Sequence, residues 1–230
     1  MISIFTITLG RELYIKRLIE SISLLGGNYD FEHYICFQGV KPSEDLLTYI
    51  KNLDERYNIH LELWDKNYGI GEAINKILPK LKGDITIKLD DDAVLRSPNY
   101  FSHVKEINRL FPDIVFSPFP VGLINNLGGV QSSNRFVHYG ENTDTYYTFR
   151  VVNHIGGFAR ISPTNIIKTF KFPNDLSSNN SGNEDVNFSN YCNQEGVMMC
   201  YLENALIVEH QESTLGQHER YGENYFNGRF

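Results

Sequence analysis

Three consecutive carboxylates, Asp90, Asp91 and Asp92, follow the apolar run Ile85-Thr86-Ile87-Lys88-Leu89. Anions packed this closely repel one another unless a cation neutralises them. Oxygen ligation by one or two carboxylates, completed by water and substrate phosphates, is the habit of Mg2+ and Mn2+. An extended run sends alternate side chains to opposite faces, so Asp90 and Asp92 are expected to share one side while Asp91 leans away. In an open α/β sheet the ligand crevice lies outside the carboxyl ends of the strands, which is where this cluster falls. An acidic turn that merely caps a strand has the same appearance. Two further places carry residues suited to chemistry. Glu184-Asp185 opens a helical stretch, where the helix dipole favours ionised carboxylates, and His210 directly follows an apolar strand.

The elements that must position these residues are legible from periodicity. Ile2 to Thr8 reads as a strand, and Arg11 to Leu25 carries Leu13, Ile15, Leu18, Ile19 and Ile22 at helical spacing before Gly26-Gly27 stops it. His33 to Phe37 reads as a second strand, followed by a helix from Ser43 to about Arg56 with Ser43 as its cap. A third strand (Ile59 to Trp64), a third helix (Gly71 to Leu81) and a fourth strand (Ile85 to Leu89) lead to the acidic cluster. Strands alternating with helices at this spacing imply right-handed crossovers and a mostly parallel central sheet flanked by helices. Beyond Pro98 the pattern changes. A helix from Asn99 to Leu110 and short strands at Ile114–Phe116 and Tyr146–Val152 are expected, with a helix from Glu184 to Gln194 and a last strand from Cys200 to Val208. Residues 1–230 thus read as one domain, with a nucleotide-binding type of α/β half over 1–97 and a second subregion over 98–230.

Composition bounds the function. The 230 residues are 41% apolar and 21% charged, as in ordinary globular proteins, and the net charge of −7 argues against broad affinity for nucleic acid. The sequence opens directly into an apolar strand, and no window reaches the length of a membrane span, so a cytoplasmic protein without a membrane span is expected. Cys36, Cys192 and Cys200 show no CxxC spacing and read as reduced thiols.

Taken together, several segments resemble the family 2 type of nucleotide-sugar-dependent glycosyltransferases, which have the GT-A (nucleotide-diphospho-sugar transferase) fold. Ile4 to Arg11 is similar to the family's first strand and nucleotide loop, with Leu9-Gly10 where the family commonly has Tyr-Asn. Asp65 to Asn75 resembles its Asn-x-Gly segment and the helix that follows. Leu89-Asp90-Asp91-Asp92 resembles its DxD motif, Ile155-Gly156-Gly157-Phe158 its acceptor-side glycine pair, and Glu184-Asp185 its ED motif, while His210 falls where some members add a metal ligand.

The resemblance implies a metal-dependent transfer of one sugar from a nucleotide sugar, expected to be a UDP-sugar, to a hydroxyl acceptor with inversion. Asp185 would be the base, with Glu184 orienting the acceptor or the loop. Thr8, Gly10, Arg11, Gln38, Asn67, Gly71, Asn75, Asp90 and Asp91 would lie on the donor side. Gly156 and Gly157 would lie on the acceptor side, and Asp92, Asp90 and His210 would hold Mn2+ or Mg2+. Arg220, in a polar tail that could close over the donor together with the Ser/Asn-rich stretch before Glu184, would meet the diphosphate. The acceptor stays open among a glycan, a lipid-linked saccharide, a protein and a modified nucleobase. Two other readings compete. A non-catalytic carbohydrate-binding or scaffold protein would use the acidic cluster for Ca2+, and a sugar nucleotidyltransferase would share the nucleotide-binding half but needs a glycine-rich, basic phosphate loop that Leu9-Gly10-Arg11-Glu12 poorly matches.

Overall fold

A computed structural model describes residues 1–26, 30–53, 57–122, 134–173 and 183–211. The elements run β1 (Ile2–Thr8), α1 (Glu12–Leu25), β2 (Phe31–Gln38), α2 (Glu44–Lys51), β3 (Asn58–Trp64), α3 (Ile70–Ile77), β4 (Ile85–Leu89), β5 (Ala93–Leu95), α4 (Tyr100–Leu110), β6 (Val115–Ser117), β7 (Phe119–Val121), β8 (Arg135–Gly140), β9 (Thr145–Val152), β10 (Ala159–Pro163), α5 (Thr164–Thr169), α6 (Glu184–Gln194), β11 (Met199–Leu202) and β12 (Ile207–His210).

The main sheet has the order β3-β2-β1-β4-β10-β6-β11-β9-β8. Its first four strands are parallel, as the strand–helix alternation requires. Beyond β4 the sheet becomes mixed, because β10 enters antiparallel between β4 and β6 and β8–β9 form an antiparallel hairpin. A short second sheet, β5-β12-β7, stands beside the end of β4.

Both faces of the main sheet are covered, so its central strands are apolar on both sides. Ile2, Ile4, Ile85, Ile87 and Leu89 pack with Leu18 and Ile22 of α1 and with Phe101, Val104 and Ile107 of α4. On the opposite face Phe5, Tyr34 and Cys36 pack with Ile74 and Ile77 of α3, Ile167 of α5 and Phe188 and Cys192 of α6. Lys88 on β4 and Arg160 on β10 point to this second face, since they alternate with Ile87, Leu89, Ala159 and Ile161 of the first.

Ser43 caps α2 as expected, accepting from the Leu46 amide at 3.2 Å. That helix stops at Lys51, short of the expected Arg56. The helix expected from Gly71 to Leu81 ends at Ile77, and a 3-10 turn over Leu78–Lys80 completes it, because Pro79 cannot donate to a continued α-helix. The single last strand expected from Cys200 to Val208 is two strands in different sheets. Ala205 adopts φ +66° and breaks the run, so β11 stays in the main sheet while β12 crosses to the second. That break carries His210 to the acidic cluster.

Candidate active site

The site begins where two parallel neighbours end together. β1 and β4 lie side by side in register, which brings Thr8 to the Asp90–Asp92 turn. Thr8 Oγ1 donates to Asp91 at 2.6 Å and accepts from the Gly10 amide at 3.0 Å. Gly10 turns the chain at φ +96°, a region that strains any residue with a Cβ, and so delivers Arg11 to the start of α1. Arg11 then grips two carboxylates. Its Nε donates to Asp91 at 3.0 Å, Nη1 to Asp92 at 2.7 Å, and Nη2 to the second oxygen of Asp91.

This corrects the alternation expected of the triplet. The strand ends at Leu89 and residues 91–92 lie in a turn closed by the Ala93 amide on the Asp90 carbonyl at 3.0 Å, so Asp91 and Asp92 share Arg11 while Asp90 stands apart. Asp91 is buried with both oxygens taken, and anchors Arg11 and Thr8.

Asp90 belongs to a second group. Antiparallel pairing sets Ala159 opposite Leu89, so the segment before β10 crosses directly over Asp90, whose amide donates to the Phe158 carbonyl at 3.0 Å. Lys88 Nζ donates to the Asp90 carboxylate at 2.6 Å and to the Gly157 carbonyl. The Gly157 amide donates in turn to Asp185 Oδ2 at 3.3 Å, and His154 Nε2 lies 4.0 Å from the same oxygen. The Gly156 amide donates to the Tyr201 hydroxyl at 3.0 Å. A Cβ on Gly157 would meet Glu184 Oε1 at 3.1 Å and Lys88 Nζ at 3.2 Å, which shows how closely these groups converge. A continuous path of contacts, Asp90–Lys88–Gly157–Asp185, therefore joins the acidic turn to the start of α6.

His210 forms a third arm. Its Nε2 lies 3.3 Å from Asp92 Oδ2, while the Gln211 amide donates to the Asp92 carbonyl at 2.8 Å. Burial alone would raise the Asp92 carboxyl, but the hydrogen bond and charge of His210 together with Arg11 outweigh it and hold the group at about 2. Asp92 Oδ1 is buried with no hydrogen-bond partner among the described residues. Among those residues no three His, Cys, Asp or Glu side chains gather into a complete metal centre. The orphaned Asp92 oxygen beside His210 nonetheless fits a divalent cation that takes its remaining ligands from water and phosphate. Asp90, the other expected ligand, is engaged by Lys88.

The expected helix start is found at Glu184, but its carboxyl is not simply held ionised by the helix dipole. Burial pushes it above the ordinary carboxylate range, against the lowering effect of Lys88. Other expected donor-side residues are occupied within the fold. Gln38 Oε1 accepts from the Tyr68 amide at 2.9 Å, and Asn67 Oδ1 from the Gly69 amide at 2.8 Å. Asn75 spends both ends of its amide on the Phe172 backbone, at 2.7 and 3.0 Å, and Gly71 lets Pro173 approach so closely that a Cβ would stand 2.1 Å from its carbonyl oxygen. Arg220 and the Ser/Asn-rich stretch over 174–182 lie outside the described residues. Lys88 was missed by sequence reasoning. Its signal was a lone cation within an apolar strand, two residues before Asp90.

A glycosyl transferase family 2 model matches residues 3–167, a span that includes the acidic triplet and Gly157 and ends before Glu184. No curated protein matches the chain by sequence. Solved structures share its fold. S. aureus TarS is 16% identical with a TM-score of 0.65, over 95% of this chain and 38% of TarS. A shorter TarS structure in complex with UDP-GlcNAc is 18% identical with a TM-score of 0.63, over 92% of this chain and 59% of that one. GalNAc-T7 with UDP, GalNAc and Mn2+ is 13% identical with a TM-score of 0.66, covering 94% of this chain and 44% of that one. The mannosyltransferase PcManGT from Pyrobaculum calidifontis, in complex with GDP-Man and Mn2+, is 11% identical with a TM-score of 0.66, covering 95% and 59%. The chain thus spans well under two thirds of these proteins. With the family model running from β1 through most of α5 on a shared GT-A fold, the chain belongs to glycosyl transferase family 2.

Proposed function

We propose that the chain transfers a sugar from a nucleotide sugar, in the first instance a UDP-sugar, to a hydroxyl acceptor with inversion and with the help of Mn2+ or Mg2+. The observation that carries this reading is the contact path from Asp90 through Lys88 and Gly157 to Asp185. It brings the Asp185 carboxylate within a few contacts of the acidic turn, the proximity that a single in-line displacement between donor and acceptor needs.

Asp92 and His210 would hold the cation, with Asp90 joining them once the donor draws it from Lys88. Bound there, a divalent ion supplies Lewis-acid stabilisation of charge on the departing diphosphate. Arg11, already fixed on Asp91 and Asp92, keeps the acidic turn from flying apart before donor and metal arrive. Asp185 takes the proton of the acceptor hydroxyl as that oxygen attacks the anomeric carbon. One base acting in one displacement turns the anomeric centre over, which is the basis for inversion. Lys88 shields Glu184, Asp185 and Asp90 from mutual repulsion. The donors named for the TarS, GalNAc-T7 and PcManGT structures support a nucleotide sugar and Mn2+ by analogy of fold. No helix among the described residues is long and apolar enough to cross a membrane. The free, buried thiols Cys36, Cys192 and Cys200 are in keeping with a reducing, cytoplasmic setting.

Incubation with Mn2+ and a panel of UDP- and GDP-sugars tests the reading through slow release of nucleoside diphosphate. Asp185→Asn should keep donor binding and lose transfer, and Asp92→Ala should lose metal-dependent donor binding. Wild-type turnover in Asp185→Asn would remove the base, and failure to bind any sugar nucleotide would remove the reading altogether.

A further inference from the structure

The acidic turn carries cations of its own. Arg11 contacts Asp91 and Asp92, and Lys88 contacts Asp90. Three carboxylates against these two cations leave one net negative charge, with His210 counted in the neutral form that ligates a metal. Most of the repulsion within the triplet is thus relieved by the chain itself.

Arg11 also withdraws ligands. Its Nε and Nη2 hold the two oxygens of Asp91, one of which Thr8 shares, and its Nη1 holds Oδ2 of Asp92 at 2.7 Å. What the pair still offers is Asp92 Oδ1, buried and without a hydrogen-bond partner among the described residues. The guanidinium is firmly seated there. The turn at Gly10 delivers it, three hydrogen bonds fix its planar fork, and the Tyr14 ring centroid lies 5.5 Å from its carbon.

We propose that Arg11 makes cation binding at the acidic turn conditional on the donor, so that Mn2+ or Mg2+ is held firmly together with the diphosphate of a nucleotide sugar and poorly by the protein alone. It rests on the reading of this turn as the cation and donor site. A divalent ion entering alone would change one net negative charge into one net positive charge. It would also sit on one oxygen of a carboxylate whose other oxygen already holds a guanidinium. Asp91 and Asp92 are both buried, so water screens this repulsion less than it would at the surface. One carboxylate oxygen and one imidazole are, besides, too few ligands for an ion that prefers an octahedral shell. A diphosphate supplies both the missing oxygens and the missing negative charge. The dependence is reciprocal: whatever factor the diphosphate adds to cation affinity, the cation adds to diphosphate affinity.

The test is titration with Mn2+, followed by electron paramagnetic resonance of the free ion, with and without UDP, in wild type, Arg11→Met and Arg11→Lys. In wild type UDP should tighten Mn2+ binding by about tenfold or more. Without nucleotide, Arg11→Met should bind Mn2+ about tenfold or more tighter than wild type, and the effect of UDP should shrink. Arg11→Lys, which keeps the charge, should stay closer to wild type than Arg11→Met. Equal Mn2+ affinity with and without UDP in wild type overturns the proposal. So does a folded Arg11→Met whose Mn2+ affinity without nucleotide is unchanged or weaker; if its UDP binding is also weaker, Arg11 is a diphosphate contact instead. Should Arg11→Met not fold, Arg11→Gln, which keeps hydrogen-bond donors and loses the charge, takes its place under the same criteria. A gain of Mn2+ affinity on losing the charge, in a protein that binds neither UDP nor any sugar nucleotide, would support Arg11 as the barrier to the lone cation and remove the transferase reading.

Discussion

Lys88 donates to Asp90 at 2.6 Å from a position 4% exposed, while the Asp90 side chain keeps 42% of its surface open. The two ends of this ion pair therefore live in different media. Lys88 is committed to the core face and to the Gly157 carbonyl, whereas Asp90 can exchange its partner for water or a ligand.

Replacing Lys88 should therefore do two things. Lys88→Met leaves the Gly157 carbonyl without its donor and removes the cation that lowers Glu184. An orphaned buried acceptor costs about 1–3 kcal/mol, so the melting temperature should fall by several degrees. Under the proposed reading turnover should fall further than donor binding, since the link to Asp185 is cut but Asp92 and His210 are untouched. Calorimetry and donor titration read the two effects separately.

Two glycines should respond in opposite ways to the same added methyl. At Gly71 the new Cβ would meet the Pro173 carbonyl oxygen at 2.1 Å, a backbone atom that cannot swing aside. Gly71→Ala should cost about 1–3 kcal/mol or more by overpacking, seen as a lowered denaturation midpoint. At Gly157 the Cβ would meet the ends of Glu184 and Lys88, both flexible side chains, at 3.1 and 3.2 Å. Gly157→Ala should cost less stability than Gly71→Ala yet reduce transfer by about tenfold or more, because the groups displaced are those beside the base. Equal effects on stability at the two sites would contradict this account.

Asp92 should make the metal-free protein sensitive to acid. Its folded carboxyl titrates at about 2, against an ordinary value of 3.8, so protons bind more tightly to the unfolded chain. The resulting stabilisation, about 2 kcal/mol for a buried group shifted this far, is complete above about pH 5 and is lost as pH falls toward 2. Urea midpoints measured in chelator between pH 6 and 2 should decline more steeply in wild type than in Asp92→Asn. Parallel curves would show that Arg11 and His210 do not hold this carboxyl.

Much of this arrangement was legible because it is local. β4 was read from an apolar run and a turn, and α6 from its acidic first turn, and both match the structure at each end. The Ser43 cap is likewise a matter of adjacent residues. Long-range pairing carries no such mark. Nothing near Arg11 announces that it will bind Asp91 and Asp92 some eighty positions away, and β10 hides its strand character behind Arg160 and a terminal Pro163. Gly71 and Asn75 show the same. Their pattern leads to an expected place on the donor side, and nothing in it announces the Phe172–Pro173 backbone, about a hundred positions away, that both residues meet in the structure.

His210 reaches Asp92 only because Ala205 breaks the last strand and β12 pairs antiparallel with β5, setting His210 opposite Ala93. The imidazole and the carboxylate are both buried and 3.3 Å apart, so their contributions should not add. In chelator, a double-mutant cycle of His210→Ala and Asp92→Asn should return a coupling of about 0.5–3 kcal/mol in stability. With Mn2+ present, His210→Ala should weaken metal-dependent donor binding by about tenfold or more, the scale on which a change in the ligand shell acts. The two measurements are independent. Coupling without a change in metal dependence would leave His210 as a structural partner of Asp92 and remove it from the metal site. A change in metal dependence without coupling would mean that the imidazole turns away from Asp92 until the cation arrives.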